Sequence, residues 1–374
     1  MKRALWFAAI AAVLLLSAAL RLHKINDLSL NNDEIAEVRW SSGTLTELYE
    51  QVSRDRVHPP LDYLVQYVLS RASAPEWLRR IPAVLAGIFT VACVALVGRW
   101  WHSPAAGLLA GLFLAVAPIH VRYSQEVRPY AMAMLFLAAA LVFLELYAGT
   151  RRRSWAAAWF ISVFLAGATL YLAGLVAVIA SLTRILIDRD GGLLPLRRRF
   201  PWIALAWTLL YAPWLHVVLA ATQNAPAPPE RLDWLWLEHR LQAFGSGTEW
   251  YQPMTIGSWF FWAAAVIGII ASFRFPLLRT ATLWLLGGML ATTIILQIRP
   301  HYAFVPRYFM PAMLAAPILA GAGIVALWKW PAGRAVSALA VLFYGGFTAV
   351  TLLDYYEAGR PDWRGVAAYV HERT

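Results

Sequence analysis

The chain has 374 residues, of which 60% are hydrophobic and only 14% are charged, whereas ordinary soluble domains have roughly 45–50% and 25%. These proportions exclude a single soluble globule and fit a polytopic membrane protein. The formal charge of +11 would suggest nucleic acid as a partner of a soluble protein, but cytoplasmic loops can supply it in a membrane protein. The single cysteine, Cys93, permits no internal disulfide and is expected to be a buried free thiol.

Eleven apolar runs close to 20 residues long predict about eleven transmembrane helices. They cover residues 5–21, 81–98, 104–119, 129–148, 155–171, 174–187, 201–219, 256–273, 281–297, 308–327 and 335–353. Lys2 and Arg3 precede the first run and place the N-terminus in the cytoplasm. That run also resembles a signal peptide, but ten further spans and the Arg21 that follows it favour an uncleaved first helix. The C-terminus is then extracytoplasmic.

Residues 59–73 decide the topology. They resemble a short span, and if they crossed the bilayer every later loop would lie on the opposite side of the membrane. Apolar side chains recur at helical spacing on one side, whereas Asp62 and Gln66 occupy the other, which predicts an interfacial helix. With this segment lying flat, the arginine clusters at 151–153 and 197–199 face the cytoplasm, as the positive-inside bias requires. The excess positive charge is therefore a topology signal, and nucleic acid is not expected as a partner.

The sequence shows no internal repeat and no linker, which predicts one integral domain over residues 1–353 and a short extracytoplasmic tail over 354–374. The first outer loop, 22–80, is expected to contain two short helices, one opened by Asn31 and the other by a capping-box pattern starting at Thr44. The second outer loop, 220–255, begins Pro-rich and is expected to form an interfacial helix or lid.

Four polar constellations fall on the same, outer side by this topology. They are Asp33 with Glu34; His58 with Arg79 and Arg80; the run 120–130 with Arg122, Tyr123, Gln125, Glu126 and Arg128; and Arg299, His301, Tyr302, Arg307 and Tyr308. Each has a plainer interpretation: Asp33 could cap a helix, and the basic and aromatic groups could belong to the membrane interface. No Walker loop, Rossmann glycine pattern or zinc spacing is present. A bilayer-borne substrate with an anion at the outer interface fits best.

These residues resemble the protein O-mannosyltransferase and aminoarabinose-transferase group of GT-C glycosyltransferases, most like its bacterial members. The resemblance spans about residues 1–320. It rests on Asp33-Glu34, His58-Pro59-Pro60-Leu61, Arg80 before Ile81-Pro82, the run Tyr123-Ser124-Gln125-Glu126 continuing to Tyr130, and Pro306-Arg307-Tyr308 with Pro311. It implies an all-α GT-C bundle in the bacterial inner (plasma) membrane. The implied reaction moves a sugar from polyprenyl phosphate to an acceptor hydroxyl, with inversion, on the extracytoplasmic face.

The resemblance also implies roles for single residues. Asp33 would be the general base and Glu34 would orient the acceptor or support Asp33. Arg80, with Arg79 and His58, would stabilise the departing polyprenyl phosphate. The further candidates for binding sugar and phosphate are Arg122, Tyr123, Gln125, Glu126, Arg128, His301, Arg307 and Tyr308.

The resemblance leaves the sugar open, because His58 stands where the aminoarabinose transferases have Lys. The acceptor, which is a lipid, a glycan or a protein, is open as well. The need for a metal ion is open too: Asp33, Glu34 and Glu126 could hold a divalent ion, but nothing in their spacing demands one.

Two other functions remain as alternatives. A transporter or flippase of a polyprenyl-linked sugar tends to place ionisable groups at the bilayer midplane and to show repeated halves, and neither is visible here. The second alternative is a catalytically inert scaffold of a cell-envelope complex. If the protein were such a scaffold, substitution of Asp33 would alter assembly alone.

Overall fold

A computed structural model of the protein describes residues 3–55, 58–189, 191–220, 234–247, 255–298, 305–358 and 362–373. Over these ranges the chain is all-helical, without a strand, as predicted. The helices are α1 (Arg3–Leu22), α2 (Asn32–Trp40), α3 (Leu45–Asp55), α4 (Leu61–Arg71), α5 (Glu76–Trp101), α6 (Pro104–Val116), α7 (Pro118–Tyr123), α8 (Tyr130–Thr150), α9 (Arg153–Thr169), α10 (Tyr171–Ile187), α11 (Leu194–Ala220), α12 (Trp234–Gly245), α13 (Thr255–Ser272), α14 (Pro276–Ile298), α15 (Met310–Met313), α16 (Ala316–Leu327), α17 (Pro331–Glu357) and α18 (Trp363–His371). A 3₁₀ turn, Pro306–Phe309, precedes α15.

Within the described ranges, five helices are long and apolar enough to cross a membrane, and a sixth span results if the bent pair Pro306–Met313 and Ala316–Leu327 is counted as one. The five lie in α1, α5, α8, α14 and α17. Every predicted run coincides with helix, but the predicted count of about eleven spans is not confirmed. Helix breaks explain part of the difference: α6 ends where Pro118 starts α7, and extended Leu170 separates α9 from α10.

The first outer loop forms the two helices that its caps predict, followed by α4. Asn31 caps α2, because its side chain accepts a hydrogen bond from the Glu34 amide at 2.9 Å while the Glu34 carboxylate accepts one from the Asn31 amide at 2.9 Å. The interpretation of Asp33 as the cap is therefore wrong. Thr44 and Glu47 form the predicted capping box at the start of α3.

Helix α4 keeps its polar side against the protein. Asp62 and Gln66 are buried, whereas Leu64 and Val68 are 40% and 65% exposed. A helix of 11 residues with an exposed apolar side is suited to lie at a lipid interface and is too short to cross the bilayer.

The centre of the bundle is α16, which packs against α6 and α13 through small residues. A Cβ atom at Gly268 or Gly323 would collide with the carbonyl oxygen of Leu319 or Ala264 on the facing helix. Such close approach is typical of membrane helix pairs, where packing replaces the hydrophobic effect between helices. This helix follows the 3₁₀ turn that carries Arg307 and Tyr308.

The second outer loop is described only over 234–247, where α12 contacts α7 and the 3₁₀ turn. The predicted lid falls largely on 221–233 and 248–254, outside the described residues. Cys93 is a free thiol, as expected, and is partly buried.

Candidate active site

Three of the four predicted constellations meet at one end of the bundle, where α2, α4, the start of α5, the α7–α8 connection and the 3₁₀ turn come together. Of the fourth constellation, Arg307 and Tyr308 are present at this end. Arg299, His301 and Tyr302 lie outside the described residues.

Glu34 is a completely buried carboxylate whose contacts hold the start of α2. One oxygen, Oε1, accepts hydrogen bonds from the amide of Val127 at 2.8 Å and from Nε of Arg80 at 3.4 Å. The other closes the capping box with Asn31. A buried ion pair with its remaining hydrogen bonds satisfied is held firmly, since losing either partner would leave an uncompensated charge.

Arg80 is committed to the same framework. It is 1% exposed, and its guanidinium donates to the carbonyl oxygens of Ile25 at 2.6 Å, Leu28 at 2.9 Å and Ser29 at 3.3 Å. Arg80 therefore makes most of its hydrogen bonds to the loop that precedes α2. Arg79 is directed at carbonyl oxygens of Ala74 and Gln66 and at the hydroxyl of Ser70.

Asp33 differs from its neighbour, because its side chain is exposed. It lies close enough to Arg128 for an electrostatic interaction. The pair of adjacent carboxylates is therefore divided by the helix: Glu34 points into the protein and Asp33 remains accessible to a substrate.

Arg128 links α2 to the residues before α4. Its Nη1 donates to Glu37 Oε2 at 3.1 Å, and its Nη2 lies 2.8 Å from His58 Nε2. Since a guanidinium can only donate, Nε2 of His58 is the acceptor and Nδ1 carries the proton. That Nδ1 is buried and has no hydrogen-bond partner among the described residues.

The histidine is held neutral by its surroundings. Burial, and then the charges of Arg128 and Arg307, keep the pKa of His58 well below its ordinary value. A neutral imidazole with one free donor can bind an anion by hydrogen bonding.

Glu37 and Asp62 form a buried pair of carboxyl groups that the sequence analysis did not single out. They are in hydrogen-bonding contact across α2 and α4. Burial, and then the neighbouring Asp62, raises the pKa of Glu37 well above its ordinary value, and burial raises the pKa of Asp62. Both shifts favour the protonated form of the pair, and a protonated carboxyl group neutralises Arg128 less than a carboxylate does.

Aromatic rings line the same region around Tyr130. Its ring lies 5.7 Å from that of His58, 4.8 Å from that of Tyr123 and 6.5 Å from that of Tyr308. The guanidinium of Arg128 lies over the Tyr130 ring at 6.0 Å. The edge-to-face and tilted rings, together with the Arg128 cation, offer both apolar and anion-binding surfaces.

The remaining candidates of the run 120–130 bind other parts of the protein. Gln125 donates to the carbonyl oxygens of Leu20, Arg21 and His23, which ties the end of α1 to this segment. Arg122 pairs with Glu126 at 3.1 Å, four residues along the chain. The buried Arg21, which the sequence analysis gave no role at the site, bonds Ser17, Ser124 and His120 and anchors the same end of α1.

The suggested metal ligands are not gathered around an ion site. Over the ranges that the structure covers, no group of three or more His, Cys, Asp and Glu side chains could hold a metal ion. Glu34 is engaged by Arg80, and Glu126 by Arg122.

The raised carboxyl pKa values predict a pH dependence. The folded protein holds a proton on Glu37 and Asp62 above the ordinary glutamate pKa of 4.5, where the unfolded chain has lost it, so the stability falls as pH rises through this window. Glu37→Gln, which cannot ionise, should flatten the decline of the melting midpoint as pH rises above the ordinary glutamate pKa of 4.5. Glu50→Gln, on exposed α3, should leave the slope unchanged. An identical slope for Glu37→Gln and the native protein would contradict the shared proton.

Part of the sequence matches a known family model, and the fold is similar to those of solved membrane proteins. Residues 57–216 match the family model described as dolichyl-phosphate-mannose-protein mannosyltransferase. The fold is similar to that of ArnT from Cupriavidus metallidurans, solved bound to undecaprenyl phosphate, with 17% identity, a TM-score of 0.60, and coverage of 96% of this chain and 79% of ArnT. It is also similar to the Archaeoglobus fulgidus oligosaccharyltransferase AglB, solved with an inhibitory peptide and a dolichol-phosphate. There the identity is 11% and the TM-score 0.61, over 99% of this chain and 58% of AglB. No curated protein matches significantly.

Proposed function

We propose that the chain is a GT-C glycosyltransferase that transfers a sugar from a polyprenyl-phosphate donor to an acceptor hydroxyl, with inversion, on the extracytoplasmic face of the membrane. The family-model match over residues 57–216 and the similarity of the fold to ArnT support this proposal. Asp33 is the general base in this proposal. The acceptor oxygen attacks the anomeric carbon, the bond from that carbon to the phosphate oxygen breaks, and the hydroxyl proton passes to Asp33. Polyprenyl phosphate leaves with the electron pair.

The observation that carries the proposal is the different setting of two adjacent carboxylates. Glu34 is buried and occupied by Arg80, Val127 and Asn31, whereas Asp33 is exposed beside the cation of Arg128. A general base must reach the hydroxyl that it deprotonates, and only Asp33 of the two can do so.

The leaving phosphate requires donors placed where its charge develops. His58 and Arg128 provide them: the Nδ1–H of His58 has no hydrogen-bond partner among the described residues, and Arg128 is paired with Glu37, whose pKa is raised by burial and by Asp62. Arg307 lies close enough to lower the pKa of His58 and adds positive charge to the site. In this proposal Arg79 and Arg80 act through the backbone that they hold.

The proposal is tested by following both products. The purified protein in liposomes is incubated with undecaprenyl-phosphate mannose, glucose or aminoarabinose and an extract of envelope lipids and glycans. We expect at least one donor to release undecaprenyl phosphate together with an equal amount of glycosylated product, both measured by mass spectrometry. Consumption of none of the donors would contradict the proposal. Movement of a labelled donor across the bilayer without product would instead support the transporter.

A further inference from the structure

The start of α18 contacts the first outer loop through Arg364. Its guanidinium donates to the carbonyl oxygen of Asn26 at 2.6 Å and to that of Leu28 at 2.9 Å, and it pairs with Glu76 at 2.6 Å. Glu76 is the first residue of α5, so one side chain joins the C-terminal segment, the loop and a membrane-spanning helix.

The same loop is held from its other side by Arg80. The carbonyl oxygen of Leu28 accepts hydrogen bonds from both guanidiniums, at 2.9 Å from Arg80 and 2.9 Å from Arg364. Ser29 adds a second connection, because its hydroxyl donates to Asp362 at 3.3 Å and its backbone carbonyl accepts from Arg80. Residues 28–30 are buried between these contacts. The two arginines thus form a clasp on loop 25–30.

Loop 25–30, which the clasp holds, leads directly into α2, the helix that carries Asp33. Asn31, the cap of α2, follows the loop, and Asp33 lies in the first turn of α2. Arg80 contacts both the loop and Glu34, so the loop and the first turn share one rigid support. Trp363, Val366 and Tyr369 of α18 remain exposed, as expected of a helix that lies on a membrane surface.

We propose that Arg364 is a positioning residue for the reaction, because it fixes loop 25–30 against Arg80 and so sets the place of Asp33. The role in transfer rests on the function proposed above, whereas the clasp itself does not. No part of the sequence pattern around Asp33 contains this residue, which lies 331 positions later in the chain.

Hydrogen exchange of the full-length protein tests the clasp without reference to activity. Arg364→Ala should make the amides of residues 25–36 exchange about tenfold faster, because loop contacts that are lost lower the free energy of local opening. The control is Arg373→Ala, two residues beyond the end of α18, whose guanidinium lies over the Tyr369 ring at 4.3 Å. Among the described residues, Arg373 makes no hydrogen bond to loop 25–30. Unchanged exchange in residues 25–36, or an equal increase over the whole chain, would overturn the proposal.

Steady-state kinetics test the positioning role. Arg364→Ala should lower kcat about ten- to hundredfold, the effect of a misplaced catalytic group, with KM for the undecaprenyl-phosphate sugar within about twofold. Arg364→Lys keeps a cation for Glu76 and should recover part of the loss. A rise in KM at constant kcat would assign Arg364 to substrate binding and overturn the positioning role. If the native protein transfers no sugar, the proposed function fails, while the exchange result still decides the clasp.

Discussion

Asp33→Asn should reduce sugar transfer by about 10²–10⁴-fold, the contribution of a positioned general base. The asparagine has nearly the shape of aspartate but cannot take the proton from the attacking hydroxyl. Because the Asp33 side chain is exposed and does not support α2, the variant should fold as the native protein does. The measurement is kcat for release of undecaprenyl phosphate, together with the affinity for undecaprenyl phosphate itself, which should change little.

Asp27→Asn provides the matched control. Asp27 is another exposed carboxylate of the same outer loop, six residues before Asp33, so the substitution changes the local charge equally. It should transfer sugar at the native rate. If Asp33→Asn retained full activity, Asp33 would not be the base; if both variants lost activity equally, the net charge of the loop would matter more than a single proton acceptor.

Most of the local structure at this end could be predicted from the sequence. The predicted capping box at Thr44 depends on a side chain three residues away, so a short window contains the whole signal. The start of α2 was predicted as well, but its cap is Asn31 and not Asp33. The amphipathic pattern of 59–73 likewise predicted α4 as an interfacial helix, whereas the burial of its polar side against the protein is visible only in the structure. The apolar runs located the helices but not the number of spans, because Pro118 and Leu170 interrupt helices without interrupting hydrophobicity.

The contacts that assemble the site were beyond sequence reasoning, because they join distant segments. Glu37 follows Glu34 by three residues, a spacing that could have indicated one buried face of α2. Nothing in the sequence places it against Asp62 or Arg128. Arg80 and Gln125 were recognised as polar residues of the site, but they donate to backbone carbonyl oxygens of the loop before α2 and of the end of α1. That role depends on the path of the backbone.

Glu34→Ala should lower the free energy of unfolding by about 3–5 kcal/mol, the cost of breaking a buried ion pair. The substitution leaves Arg80 buried without its carboxylate, and it removes the acceptor of the Val127 and Asn31 amides. The start of α2 then loses its support, so activity should fall through displacement of Asp33. The measurement is unfolding in detergent micelles by titration with sodium dodecyl sulfate.

The matched control is Glu50→Ala, which breaks an ion pair of the same length in the same loop. Glu50 and Arg54 are 3.4 Å apart, as are Glu34 and Arg80, but their side chains are 54% and 72% exposed where the buried pair is 0% and 1% exposed. Solvent screens the exposed pair, so its loss should change the free energy of unfolding by less than about 1 kcal/mol. Equal effects would show that the buried pair does not support α2.

If Glu34 bound the acceptor directly, Glu34→Ala would raise KM for the acceptor while the free energy of unfolding stayed near the native value. This result would assign Glu34 to substrate binding.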